Sequence, residues 1–322
     1  MTTIGSPLLW AGFLAFVAAM LALDLGVFHR KAHAVRFKEA LGWSAVWITL
    51  ALVFNAGLWL KFGSQAGVEF LTGYLIEKSL SLDNIFLFVV IFGALGIPAV
   101  YQHRVLFWGI LGALAMRAGM IFAGAALLER FHFLIYGFGA LLVATGVKMY
   151  LQRGKAENPG DSKLLHWVRR RVPTTEKLDG EHFFTVENGK RLATPLFLAL
   201  VLVESADIVF AVDSIPAIFA ITKDPFIVFT SNIFAILGLR SLFFLVADLV
   251  ERFAYLKVGL AAVLVFVGAK MLVADFFKVP ALVSLAVIVA ILGIAALASW
   301  RNQKREAVAA AEAASDAQRS PA

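Results

Sequence analysis

Long apolar segments are the feature that most constrains how this chain can fold. Nine stretches are apolar over roughly the 20 residues that a helix needs to cross a bilayer. They lie at about 7–28, 42–62, 68–92, 105–127, 133–151, 195–221, 226–247, 255–275 and 279–300. Apolar residues make up 61% of the chain, charged residues 16%, and the mean hydropathy is +0.83. The sequence therefore predicts an all-α polytopic membrane protein with about nine transmembrane helices.

Lysine and arginine are distributed unequally between the two sides that nine spans would create. Twenty of them fall in the connections and tail on one side, and four fall on the other. Because basic residues accumulate in cytoplasmic connections, this asymmetry predicts an external N-terminus and a cytoplasmic C-terminus. It also accounts for the net charge of +7 without nucleic acid, so the predicted partners are the lipid bilayer and small ions.

The chain divides into six predicted parts. They are a two-helix addition (1–67), a three-helix unit (68–151), a polar cytoplasmic connection (152–194), a second three-helix unit (195–277), a ninth helix (278–300) and a disordered tail (301–322). In the connection, Ser162–Arg171 has the spacing of an amphipathic helix lying on the membrane surface. The stretch FFTVENGKRLAT predicts a β-hairpin turning at Asn188-Gly189, with an exposed linker as the alternative.

The two three-helix units repeat one another. Glu129–Met149 aligns without gaps with Glu251–Met271, and 11 of the 21 positions are identical. Since each unit has an odd number of spans and the units are adjacent, the second must enter the membrane from the opposite side. This predicts an inverted repeat, an architecture that places substrate sites near the midplane between the units.

Five carboxylates interrupt the apolar helices that open the two repeats. They are Glu77 and Asp83 in the first repeat, and Glu204, Asp207 and Asp213 in the second. An ionised carboxylate at the centre of a spanning helix costs about 2.5–3.5 kcal/mol on insertion scales, so each must be protonated, paired or bound to a cation. Any single acid could form an ion pair with Arg117 or Arg240, but the acids outnumber these bases.

Helical geometry limits which of these carboxylates can meet. Glu204 and Asp207 are three residues apart and share a face, whereas Asp207 and Asp213 are six apart and do not. Pro216 is therefore predicted to break its helix and turn Asp213 toward Asp207. A break at Ser79–Ser81 would do the same for Glu77 and Asp83.

The available ligands favour a hard cation. The chain has no cysteine, and all six histidines fall in connections or at the ends of spans. Carboxylates, together with side-chain oxygens of Asn84 and Ser214, suit Mn²⁺, Mg²⁺ or Ca²⁺ and do not distinguish between them. Asp24, Arg117 and Arg240 are predicted to support the site or to couple it to a second ion.

The motifs LTGYLIEKSLSLDNIF and VESADIVFAVDSIPAIFAIT, followed by DPFIVFTSNIFAILGLRSLFFL, resemble the TerC/Alx family of bacterial integral membrane proteins. The polar connection with EHFF and NG resembles the Alx branch. The resemblance implies a location in the inner membrane, export of Mn²⁺, a link to alkaline or metal stress and a historical association with tellurium resistance. It also implies that the family's acidic motif residues are the five carboxylates named above.

The leading functional hypothesis is thus secondary export of a divalent cation, with protons as a candidate coupling ion and no permanent cofactor. The alternative is a membrane component of a metal-delivery or stress-response complex that does not transport by itself. An acidic midplane disfavours an oxyanion such as tellurite. No ATP-binding or intramembrane protease motif occurs, so neither a primary pump nor an enzyme is predicted.

Overall fold

The structure is a computed structural model of the chain. It describes residues 3–28, 37–131, 133–151, 163–187, 189–246, 255–277 and 279–319. Of the predicted site residues, the side chains of Asp24 and Asp83 lie outside what it describes.

Helices form almost the whole described chain. They are α1 (Pro7–Phe28), α2 (Phe37–Phe62), α3 (Ser64–Ala94), α4 (Ala99–Arg130), α5 (Leu134–Leu151), α6 (Lys163–Arg171), α7 (Pro195–Phe219), α8 (Pro225–Leu237), α9 (Leu239–Val246), α10 (Leu256–Leu272) and α11 (Ala281–Arg319). Two short strands, β1 (Phe184–Glu187) and β2 (Lys190–Ala193), separate α6 from α7.

The predicted class is confirmed, because the protein is helical and apolar enough to be an all-α membrane protein. Among the described residues, six segments are long and apolar enough to cross a membrane, with shorter apolar helices at Pro7–Leu23 and Val258–Leu272. Eight of the nine predicted apolar segments fall largely on one helix each, and the described part of 226–247 is divided between α8 and α9. The number of helices that actually span the bilayer, and the six-part division of the chain, stay predictions.

The predicted helix breaks are wrong. Helix α3 runs without interruption through Ser79–Ser81, and α7 continues past Pro216 to Phe219. Pro216 falls in the last turn of α7, where few further helical bonds depend on it. The interruption in the second unit lies instead at Gly238, which separates α8 from α9.

The tail also differs from its prediction. Helix α11 continues beyond Trp300 to Arg319, through the region where we expected disorder. The stretch REAVAAAEAA consists almost entirely of residues with high helix propensity, and it follows an existing helix without a new nucleation step.

The polar connection forms a small folded cap against the helices. Strands β1 and β2 pair antiparallel around a turn with Gly189 at φ 75°, which confirms the predicted hairpin. The helix predicted at Ser162–Arg171 is present as α6, and its Leu165 and Val168 are buried, with α6 packing against α7. Arg104 at the start of α4 donates to Glu181 at 3.0 Å, which ties the connection to the helical body.

The centre of the molecule is formed by α3, α4, α7 and α8. Helix α3 packs against α7 and α8, and α4 packs against the same two helices. Helices α2 and α11 lie on the periphery of α3. Helix α1 is attached through aromatic rings, since Phe13 contacts Phe54, Phe226 and Phe234.

The packing directions of the helices follow the sequence repeat. Gly109, Gly112 and Gly124 of α4 lie against Val203, Glu204 and Phe219 of α7 in the same order, so these two helices are parallel. In α3 and α8, Gly73 lies on Ser231 and Lys78 reaches Ala235, so this pair is also parallel. In the sequence repeat, α3 corresponds to α7, and α4 corresponds to α8 together with α9. The pair formed by α4 and α7 is therefore the counterpart of the pair formed by α8 and α3.

Helices α5 and α10 pack closely through reciprocal small residues. A Cβ at Gly146 would lie 2.7 Å from the carbonyl oxygen of Ala261, and one at Gly268 would lie 2.7 Å from that of Gly139. The repeat alignment pairs Gly146 with Gly268 and Gly139 with Ala261, so it converts each of these contacts into the other. The order of the contacts along the two helices shows that α5 and α10 are antiparallel. Small residues that admit a neighbouring backbone are typical of helix interfaces in membranes.

We expect Gly146→Ala to destabilise the protein and Gly137→Ala to leave its stability unchanged or raised. Both residues lie in α5, and alanine improves helix propensity by about 1 kcal/mol at either position. Only at Gly146 does the new methyl group meet the opposing backbone, since nothing lies within 4 Å of a Cβ at Gly137. Overpacking of this kind costs about 1–3 kcal/mol.

Thermal unfolding of the two purified variants in detergent measures the difference. Equal unfolding temperatures for both variants would contradict the close contact between α5 and α10.

Candidate functional site

The candidate site is centred on Arg117, in the middle of α4. Its side chain is only 1% exposed, although the flanking residues of α4 are mostly apolar. A buried guanidinium requires compensating acceptors because it cannot lose its proton in a protein. Its hydrogen-bond partners among the described residues all lie on α3, α7 and α8.

Arg117 joins one carboxylate from each predicted repeat. Its Nε donates to Asp207 Oδ2 at 3.1 Å and its Nη2 donates to Asp207 Oδ1 at 2.7 Å. Its Nη1 donates to Glu77 Oε1. The two-pronged contact with Asp207 is the geometry in which arginine binds carboxylates most strongly.

Two neutral side chains complete this network. Asn232 of α8 donates from Nδ2 to Glu77 Oε2 at 3.1 Å, and its Oδ1 accepts from Arg117 Nη1 at 3.3 Å. Ser214 of α7 accepts from the same nitrogen at 3.4 Å. We call Glu77, Arg117, Asp207, Ser214 and Asn232 the central network. Its members come from four helices, and each is less than 4% exposed.

Among the side chains bonded within the central network, carboxylates outnumber cations, although the ammonium of Lys78 also interacts electrostatically with Glu77 from outside the network. Glu77 and Asp207 are two carboxylates, and Arg117 is the single cation bonded to them among the described residues. An ion pair buried for stability alone is expected to be balanced, because excess charge in a low-dielectric region is costly. The arrangement therefore favours a role in binding a positive charge.

The remaining acids of the second repeat lie next to the central network but not in it. Glu204 is half-buried against Gly112 of α4, one turn before Asp207, where the absence of a side chain leaves room for its carboxylate. Asp213 accepts a hydrogen bond from Thr145 of α5 at 3.0 Å. The expectation that Asp213 turns toward Asp207 is therefore wrong, because α7 remains helical between them.

The predicted supporting residues are distributed differently. Ser214 belongs to the central network, whereas Asn84 is buried on α3 two turns beyond Glu77, with no partner for its Oδ1 among the described residues. Arg240 is buried in α9 and is not among the hydrogen-bond partners that define the central network. Asp24 and Asp83 are also predicted site residues, and both lie outside the described side chains.

The five predicted ligands do not form a ready-made metal centre. Within the described part of the chain, no group of three or more acidic or histidine side chains could hold a metal ion. The central network nevertheless brings together carboxylate, amide and hydroxyl oxygens, which are the ligands of hard cations. What it holds in this arrangement is the guanidinium of Arg117.

A polar cavity lies toward the N-terminal end of α3. Its volume is about 500 Å³, and residues including Gln65, Glu69 and Asp224 line it. Glu69 is two turns before Glu77 on the same helix, and Gly73 between them packs on Ser231. Lys223 lines the same cavity and Asp224 caps the N-terminus of α8, so the cavity is polar but carries charges of both signs.

Two contacts were not predicted in detail from the sequence. Asn232 is a polar residue within an apolar segment, and this position indicates a structural or supporting role. The sequence does not indicate that its partner is Glu77. Lys78 lies next to Glu77 in the chain but reaches away from it, and donates to the carbonyl oxygen of Ala235 at 3.2 Å, in the last turn of α8. Lysine is favourable there because the end of a helix carries partial negative charge.

Comparison with known proteins agrees with this architecture. The profile of the integral membrane protein TerC family matches residues 62–307, which contain every described member of the central network. The chain belongs to the TerC family. No solved structure matches this TerC protein.

Several curated relatives are similar along almost their whole length. An uncharacterized membrane protein of Myxococcus xanthus is 67% identical over 311 residues, covering 97% of this chain and 98% of its own. The "Putative membrane-bound redox modulator Alx" of Escherichia coli K12 is 49% identical over 316 residues, covering 95% of this chain and 98% of its own. An uncharacterized membrane protein of Rickettsia bellii is 44% identical over 290 residues, covering 90% and 96%.

The central network of this TerC protein predicts that two substitutions, each removing one charge, differ in how much they lower the free energy of unfolding. Arg117→Gln should lower the free energy of unfolding by about 3–5 kcal/mol, because it leaves two buried carboxylates without their cation. Glu77→Gln should cost much less, because it preserves the fork between Arg117 and Asp207 and removes the excess negative charge.

Unfolding of the purified variants in detergent with EDTA measures this difference. Arg130→Gln serves as the control, since Arg130 is exposed at the end of the same helix. If Glu77→Gln were as destabilising as Arg117→Gln, the proposed excess of negative charge in the network would be wrong.

Proposed function

We propose that this protein is a secondary transporter that exports a hard divalent cation through carboxylates at the interface of an inverted repeat. The observation that carries the proposal is the central network, in which buried carboxylates of both repeat units converge with excess negative charge. Mn²⁺ is the preferred substrate because the family resemblance implies it. Oxygen ligands alone would also suit Mg²⁺ or Ca²⁺.

Charge balance supports a divalent ion. Glu77, Asp207 and the adjacent Glu204 provide three carboxylates against the single guanidinium of Arg117. If all three are ionised, their sum with Arg117 is two negative charges, which one divalent cation would neutralise. Protons could also neutralise these carboxylates, so proton exchange is the coupling that we propose.

Packing directions support the inverted repeat. The repeat-equivalent helices α5 and α10 are antiparallel, and so are α3 and α7. In α3, Gly73 lies beside Ile218 near the end of α7. Glu77, one turn later in α3, is linked through Arg117 to Asp207 and Ser214, which lie earlier in α7. A two-fold axis in the membrane plane would relate such units. Movement of one unit against the other would then expose the carboxylates to each side in turn.

The alternative is a membrane component of a metal-delivery or stress-response complex without transport of its own. The folded cap of α6, β1 and β2 offers a surface for a partner protein, and the Escherichia coli relative is named for redox modulation. The chain has no cysteine, so any thiol chemistry in such a complex would belong to the partner.

Ion flux tests the proposal directly. Protein reconstituted into liposomes should carry Mn²⁺ with proton movement in the opposite direction, detected by a pH-sensitive dye. Asp207→Asn should reduce the flux at least about tenfold, since it removes one of the charges that compensate the ion.

Asp224→Asn is the matched control for this experiment. It also removes one carboxylate, but asparagine still caps the N-terminus of α8 as Asp224 does. Flux that is equal in Asp207→Asn and the wild type would contradict the proposed site. Absence of any divalent-cation flux in well-folded wild type would favour the partner-complex alternative.

The proposed orientation in a bacterial inner membrane has a separate test. A green fluorescent protein fused to the C-terminus should fluoresce, and alkaline phosphatase fused to the N-terminus should be active, because these reporters work on opposite sides of the membrane. The reverse pattern would show that the asymmetry of basic residues is misleading here.

A further inference from the structure

Every oxygen of Glu77 and Asp207 already accepts a hydrogen bond from another side chain, and the proposed transport does not explain this. Arg117 bonds both oxygens of Asp207 and one oxygen of Glu77, and Asn232 bonds the other. Each carboxylate oxygen keeps a second lone pair, but a cation placed between Glu77 and Asp207 would meet the charge of the guanidinium there and must displace it.

The Nη1 nitrogen of Arg117 marks where oxygens from three helices converge. It donates to Glu77 of α3, to Ser214 of α7 at 3.4 Å and to Asn232 of α8 at 3.3 Å. All three acceptors are oxygens, as hard cations prefer. This positively charged nitrogen therefore occupies a position that offers ligands for a metal ion.

We infer that Arg117 is a built-in counter-cation that competes with the transported ion for Glu77 and Asp207. With Arg117 in place, the carboxylates are compensated and the four central helices are held together without substrate. When the divalent ion binds, the guanidinium leaves the carboxylates, and the ion pairs that join α4 to α3 and α7 are lost. This inference rests on the proposed transport and adds the regulation of its site.

Competition also gives a reason for the choice of arginine. Arginine stays charged, so it compensates the carboxylates in every substrate-free protein, and its planar fork engages Asp207 with two bonds. If Arg117 were purely structural and stayed bonded to the carboxylates when the ion binds, replacing it with another polar residue that keeps its charge would not tighten the binding of that ion.

The test compares Mn²⁺ binding in three purified proteins. Titration followed by electron paramagnetic resonance of free Mn²⁺ gives the dissociation constant for wild type, Arg117→Gln and Arg130→Gln in detergent. Removing the competitor should tighten Mn²⁺ binding at least about tenfold in Arg117→Gln, as expected for the loss of charge-assisted hydrogen bonds. Arg130→Gln should bind as wild type does, because it removes the same charge from an exposed position at the end of the same helix.

A second variant keeps the test decisive if Arg117→Gln does not fold. Arg117→Lys retains the charge but loses the fork, so it should bind Mn²⁺ more tightly than wild type by a smaller factor. Thermal unfolding with and without Mn²⁺ provides an independent measurement, in which Mn²⁺ should stabilise the Arg117 variants more than the wild type.

Unchanged or weaker Mn²⁺ binding in the folded Arg117 variants would overturn the inference, whether or not wild type transports the ion. Tighter binding in these variants would support it. Tighter binding combined with no flux in liposomes would refute the proposed transport while leaving the competition at the site established.

Discussion

The structure depends on the fork that Arg117 makes with Asp207, together with its bond to Glu77. These ion pairs connect α4 to α7 and α3 in a region where apolar contacts offer little choice between alternative alignments of the helices. A guanidinium and two carboxylates are stable there only when they meet, so their pairing fixes the relative position of the central helices. Asn232 extends the same requirement to α8, because it donates to the oxygen of Glu77 that Arg117 does not contact.

The interaction that stabilises the centre also makes it suitable for function. A balanced pair would have no electrostatic reason to admit another cation, but two carboxylates for one guanidinium keep the site negative. Because Ser214 and Asn232 present oxygens at the same point, the metal ion that we propose would need only to replace the guanidinium and would not need a new set of ligands. In the proposed transporter, stability without substrate and affinity for substrate would thus be alternatives for one group of side chains.

Around this centre, close packing of small residues determines how the two units meet. Gly146 lies on Ala261 and Gly268 lies on Gly139, so the backbones of α5 and α10 approach closely along an antiparallel interface. In a membrane, such packing replaces the hydrophobic effect as the force between helices, because lipid chains are as apolar as the side chains. The close contacts of Gly146 and Gly268 involve backbone and apolar atoms, whereas the buried ion pairs join α4 to α3 and α7.

The sequence alone determined the class of protein, the positions of the apolar helices, the β-hairpin, the repeat and the carboxylate-bearing segments. These properties depend on local composition and on short-range periodicity, which each helix expresses independently of its neighbours. The sequence did not determine that α3 and α7 remain continuous, that the interruption falls at Gly238, or that Asp213 turns to Thr145 instead of Asp207. Only the tertiary structure decided which acids share Arg117, because its contacts with Glu77 and Asp207 join residues 40 and 90 positions away along the chain. Helical periodicity gives the face on which a side chain lies, but the crossing of separate helices decides what that face meets.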